Sequence, residues 1–512
     1  ESLYWEPQPV LHTLAHHFVQ AGVHDKAYHY AERAGAQADA ARADIIAADA
    51  WIQAEAALRH LELPDRLARQ RKLWFEIALN SIALRPEVGL PYLQELAQSY
   101  AGAQPGTPEG FQLSQVYGLL AVSYGFAGYV PQAMAAAEQA ELFVGLAPEP
   151  ALEAASIFIR CSPLFSAGCY DETVERARRV SAIIDRIGLE ALPQNVRGAA
   201  VGSLGLQNAV AMQGERPDPG LRDRANAIAP LLNDENPFTV AMYFGVWAAW
   251  TGRHDDAQAY IAATEQKCRN IGAPPYPWVL YLRPYLLAQH GEFEAARVQL
   301  ERSLAMPQLH QIGAALHHAL ALRGELLIQG GELDVAQAAY ESLEAQGNVR
   351  QMLVTSLLAR YGLGRVAQAR RDWPTARTAF ESGNALAKSG PARNPLHQAR
   401  YARALGEVTL AQGDPVAARG LLEESLAIVQ RQDNPFEQAH TWKALGEVHE
   451  ALHEREAAKQ AYHTSGSLFH QLKLPHLLHA LTLKLEALQH GKPVEAPTGL
   501  TPAARWKLLS GR

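Results

Sequence analysis

Apolar and small residues recur along the chain at helical spacing, and no strand-length stretch alternates apolar and polar positions between hairpin turns. The pattern predicts helices throughout. In the C-terminal half one arrangement returns. Leu405-Gly406-Glu407 is followed by Gly413, Ala418 and Leu422, and Leu445-Gly446-Glu447 by Ala458 and Tyr462. Upstream, Leu363-Gly364 leads to Ala376 and Phe380, and Gly324 leads to Gly330, Ala336 and Tyr340. Each unit sets a small anchor in a first helix, a turn about seven residues on, an Ala at +12 and a large apolar residue at +16. The anchors are Ala121, Cys161, Gly205, Gly245, Pro284, Gly324, Gly364, Gly406 and Gly446, spaced by 40, 44, 40, 39, 40, 40, 42 and 40 residues. Such regular recurrence marks a solenoid of repeats.

Small residues on both helices of a hairpin let the backbones approach, and the large residue fills the gap to the next hairpin. Asn236-Pro237, Asn394-Pro395 and Asn434-Pro435 each pair an Asn cap with Pro at the first helical position. Gly413-Asp414-Pro415, Gly330-Gly331-Glu332 and Gly291-Glu292-Phe293 are turns within hairpins. Residues 1–103 are expected to hold the N-terminal hairpins, with a first turn at Gly22 and long helices over 39–60 and 65–84. The loop Gln104-Pro105-Gly106-Thr107-Pro108 marks a sub-array boundary, and residues 104–490 carry the 40-residue register. Residues 491–512 read as a Pro/Gly linker and a short basic segment holding Arg505 and Lys507.

The chain has 512 residues, 48% of them hydrophobic, so it can bury a core. No apolar run approaches the ~20 residues of a membrane-spanning helix. A net charge of −7 argues against a nucleic-acid binder. Cys161, Cys169 and Cys268 are too scattered for a disulfide framework or a zinc site, as suits a cytoplasmic protein. Glu1-Ser2-Leu3-Tyr4-Trp5 has neither Met nor a basic-then-apolar leader, as expected of a fragment without a signal peptide. His449-Glu450-Ala451-Leu452-His453 matches the zinc-protease H-E-x-x-H pattern, but the register sets His453 level with the turn at Gly413, off the helix. Gly362-x-Gly364-x-x-Ala367 follows no strand, so it reads as helix packing rather than a dinucleotide loop. No catalytic residue, cofactor or metal is expected.

The small-residue, Ala and aromatic spacing resembles the tetratricopeptide repeat (TPR), with a 40-residue period in place of the usual 34. The resemblance implies an all-α solenoid of helical hairpins forming a right-handed superhelix. The longer period is similar to the sensor arrays of bacterial signal-transduction ATPases with numerous domains, such as maltose-activator-like regulators and ATPase-linked adenylate cyclases and kinases. Leu14-Ala15-His16-His17-Phe18, Ala21-Gly22, Lys26-Ala27 and Tyr30 resemble the segment that opens those arrays after the ATPase module. The chain itself has no Gly-x-x-x-x-Gly-Lys-Ser/Thr phosphate loop.

In such superhelices, positions −6, −3, +1 and +4 from the anchor line the concave groove. Here they give Phe158 and Phe165; Met242 and Val246, with Trp250 beside them; Trp278, Tyr281 and Tyr285; Tyr361 and Arg365; then Arg400, Arg403 and Glu407. The aromatics are expected to face the groove uncovered, and Arg365, Arg400 and Arg403 to offer free guanidinium forks to an acidic group. The implied function is a non-catalytic sensing domain whose groove takes a protein or peptide ligand, or a small-molecule inducer that relieves autoinhibition of an upstream ATPase. The alternative is a free-standing adaptor between proteins.

Overall fold

The structure is a computed structural model. It describes residues 10–490 apart from 42, 83–84, 145–149, 193–196, 209–214, 217, 219, 229–243, 271–273 and 390–392. The Asn236-Pro237 cap, Met242 and the 491–512 segment lie outside the described residues. Among the described residues there are 24 α-helices and no strand, and consecutive helices pack as antiparallel pairs. The chain is an α-solenoid of TPR-like hairpins. No described helix is long and apolar enough to cross a membrane.

The register explains the packing. At +12 from the anchors, Ala133, Thr173, Ala257, Ala296, Ala336, Ala376, Ala418 and Ala458 are all 0% exposed, so this is the helix-to-helix contact. At +16, Tyr340 wedges between Gly324 of its own hairpin and Gly362 of the next, where an added Cβ would lie within 2.4 and 2.1 Å of its ring. Caps fix the helix starts. Asn394 Oδ1 accepts from His397 N at 3.2 Å and Asn434 Oδ1 from Glu437 N at 3.1 Å. One boundary differs from expectation. Residues 39–40 end the helix His24–Ala40, and the next runs Asp44–Leu58, because the chain turns to bring Trp51 onto Gly35. At the Gln104–Thr107 loop the core is continuous, with Trp74, Leu93 and Leu96 packed among Val116, Leu120 and Ala137.

Successive superhelical turns touch. Arg350 donates to the carbonyl of Ala127 across 223 residues, and Lys473 to Asp255 across 218, a separation of about five and a half hairpins. Gly128 abuts Met352 and Gly313, Gly252 abuts Leu472 and Phe436, and Gly291 abuts His476. Tyr170 and Val174 share a cluster with Leu396, Trp250 and Val354. Hairpin turns of one superhelical turn thus pack against helix starts of the next.

Candidate functional site

Five successive first helices, Pro277–Gln289, Gly313–Gly330, Leu353–Ala369, Pro395–Ala411 and Pro435–Ala451, turn one stripe each toward the superhelix axis. Residues three and four apart share a helical face, so positions −6, −3 and +1 form that stripe. They border one cavity of about 720 Å³, which the start of the helix Pro475–His490 reaches with His476 and Leu477. Of the sequence-derived residues, Trp250, Tyr281, Tyr285, Tyr361, Arg365, Arg400 and Arg403 border this cavity.

Trp278 does not. It is 6% exposed and sits in the core, its ring centroid 5.7 Å from His318 and 6.0 Å from Tyr281. The expectation of an uncovered ring fails because the next first helix brings His318 across the stripe. His318 stacks on Trp250 at 4.9 Å, and Trp250 Nε1 donates to Tyr281 Oη at 3.1 Å. Tyr281 is also buried, and Tyr285 is half-buried against it with ring centroids 5.5 Å apart. Phe158 and Phe165 are likewise packing residues, the first over Gly202 and the second against Tyr170.

The arginines are not free forks either. Arg400 Nε donates to Glu437 Oε1 at 2.6 Å, and Arg403 Nη2 to Glu437 Oε2 at 3.0 Å. Arg403 also reaches Glu407 at 3.4 Å, and Arg365 reaches Glu325 at 3.4 Å. Gln368 donates to Glu407 at 3.2 Å, and Lys443 lies 3.6 Å from Glu447. Burial pushes the Glu437 carboxyl up, but Arg400 and Arg403 outweigh it and hold it at about 2. Burial, reinforced by nearby arginines, keeps three imidazoles neutral: His318 falls to about 4, and His397 and His440 to about 3. The cavity wall is thus aromatic at one end and a paired-charge lattice at the other.

His318, Glu325, Lys443, His440 and Glu447 were missed by sequence reasoning. The same offset rule, applied to Gly324 and Gly446, yields all five. Glu437 and His397 needed the structure, since both lie at positions that the rule skips, in the first turn of a capped helix. His453 occupies the turn between Pro435–Ala451 and Arg455–Gln471 with φ 62°, off the helix as the register required. His449 Nδ1 pairs with Glu454 at 2.6 Å.

No protein-family model matches the chain, and no curated protein matches it. Among solved structures, the APC/C hetero-tetramer Cut9-Hcn1 is similar at TM-score 0.48 and 15% identity, over 98% of this chain and 96% of that one. Rap protein complexed with competence and sporulation factor is similar at TM-score 0.45 and 10% identity, over 66% and 98%. A tetratricopeptide repeat protein from Parabacteroides merdae ATCC 43184 is similar at TM-score 0.35 and 14% identity, over 63% and 99%. These are likenesses of fold alone.

Proposed function

We infer that the chain is a non-catalytic binding solenoid that senses a ligand held in its concave cavity. One observation carries the reading. Side chains from the first helices of five successive hairpins converge on a space of about 720 Å³ instead of meeting across it. A concave space open to solvent on one side and lined by aromatic and paired charged side chains has the form of a ligand site. The size lies within the roughly 300–1,000 Å³ of ligand pockets. A short segment of a protein partner and an inducer-sized molecule both fit this volume.

The regulatory role within a larger bacterial signalling ATPase draws its support from the Leu14–Tyr30 segment and the 40-residue period. The three cysteines are unpaired, which suits the reducing cytoplasm. The gene's upstream sequence separates the arrangements: a phosphate-binding loop there supports the sensor, and a start codon beside Glu1 supports a free-standing adaptor.

Binding itself is tested by selecting ligands from a mixed library of short peptides and metabolite-sized compounds. Ala321 lies on the cavity wall, so Ala321→Trp fills the space. Selected ligands should bind the wild-type chain and lose at least ten-fold on Ala321→Trp. Equal binding to both would place the site elsewhere and overturn the reading.

A further inference from the structure

We propose that the seam between successive superhelical turns is an acid-released latch, in which proton uptake by His254, His290 and His476 parts the turns and splits the border of the cavity. The latch does not depend on what the cavity holds.

Three imidazoles from two turns meet at this seam. His254 opens the helix His254–Asn270, His290 follows the helix Pro277–Gln289, and His476 lies in the first turn of Pro475–His490. His254 Nδ1 is 3.1 Å from His290 Nε2, so one nitrogen donates to the other, a bond that is lost when both rings are protonated. Across the seam the His476 ring covers Gly291, where an added Cβ would lie 2.8 Å from its Cγ.

The residues beside His254 are held from the far turn as well. Gly252 abuts Leu472 and Phe436, Arg253 lies 3.6 Å from Asp433, and Asp255 pairs with Lys473. His254 is left 4% exposed. Its Nε2 and the Nδ1 of His476 are buried with no hydrogen-bond partner among the described residues. A proton added to either would be a buried donor with nothing to accept it, which is costly while the turns stay together.

The charges around the cluster do not relieve that cost. The imidazoles face one another and Asp255, whose carboxylate is already paired with Lys473, and Asp433 further along is shared by Arg253 and Arg216. Burial first, and His290 second, push the His254 imidazole down to about 4, and the same two causes lower His476. When the turns part, water reaches the rings and His254 returns to the ordinary 6.5. The open form then binds more protons than the closed one, so acid favours it. His254 alone raises the open-to-closed ratio about 30-fold between pH 7.5 and 5.0.

The seam is also a border of the cavity. Trp250, Gln289 and Phe293 line the cavity from one turn, and Phe436, His476 and Leu477 from the other. Parting the turns draws these two sides away from each other, so proton uptake and occupancy of the cavity are linked.

The test follows the full chain from pH 7.5 to 5.0 by small-angle X-ray scattering, far-UV circular dichroism and amide exchange. The radius of gyration should rise by about 3 Å or more with helix content unchanged. Exchange, corrected for its intrinsic pH dependence, should quicken in 248–256, 288–294 and 470–478 and not in the helix Pro415–Arg431. His254→Gln keeps a partner for His290 and takes no proton, so it should move the expansion lower by about half a pH unit or more. His476→Gln should move it the same way, and the exposed His463→Gln should leave it in place. No expansion, expansion that tracks helix loss, exchange that quickens in all hairpins alike, or a midpoint indifferent to both seam variants would overturn the latch. The exchange pattern of the wild-type chain decides the case even where a variant does not fold.

Discussion

A Cβ built at Gly406 would stand 2.8 Å from Leu422 Cγ, so the small anchor is a steric requirement of the hairpin. Gly406→Leu should overpack that contact and cost about 1–3 kcal/mol, read as a lower urea midpoint at unchanged slope. An unchanged midpoint would refute the register. Trp278 gives the opposite lesson. Its spacing nominated it for the groove, yet the ring lies in the core and off the cavity, because His318 reaches it from the next first helix. Trp278→Ala should therefore cost about 3–5 kcal/mol of folding stability, as for any large buried aromatic. A variant as stable as the wild type would return the ring to the surface. Glu437 is the third such position. Its side chain is 4% exposed and bridges two guanidiniums, so Glu437→Ala takes the carboxylate from Arg400, leaves Arg403 only Glu407, and should cost about 3–5 kcal/mol in the same titration.

At the scale of helices, the sequence made the hairpins and their register readable, since anchor, +12 Ala and +16 bulky residue are local consequences of close backbone approach. The same register located seven of the eight nominated site residues on one cavity. It could not show which charges pair. Glu437 meets Arg400 from the following first helix, across 37 residues and outside the four groove positions. The stacked helices also fix the pH response. His318, His397 and His440 stay neutral in the fold down to about 4, 3 and 3, whereas the unfolded chain protonates them near the ordinary 6.5. Stability is thus full above pH 6.5 and falls as the pH drops toward 4 and then 3, because the unfolded state binds more protons. Glu437, held at about 2 against an ordinary 4.5, adds a second loss as the pH falls from 4.5 toward 2. The urea midpoint should be lower at pH 5.0 than at 7.5, and His397→Phe should shrink that difference. A midpoint independent of pH would contradict the buried neutral imidazoles.

At the scale of the molecule, contacts between successive turns decide what the concave face becomes. A repeat sequence records each hairpin's contact with its neighbour, but the register carries no signal for the Ala127–Arg350 or Asp255–Lys473 pairings, which join hairpins five or six units apart. An open superhelix was the natural expectation, and with it uncovered aromatics. Successive turns instead touch, and His476 of the last described helix reaches the rim of a concave cavity of ligand size. Small-angle X-ray scattering of the free chain tests this most directly. Turns in contact predict a radius of gyration of roughly 24–28 Å, near the compact-domain scaling for this length. Turns that do not touch would string the hairpins along an axis at about 10 Å or more apiece, giving roughly 35 Å. A value near the second figure would contradict the contacts between successive turns and, with them, the cavity that those turns border.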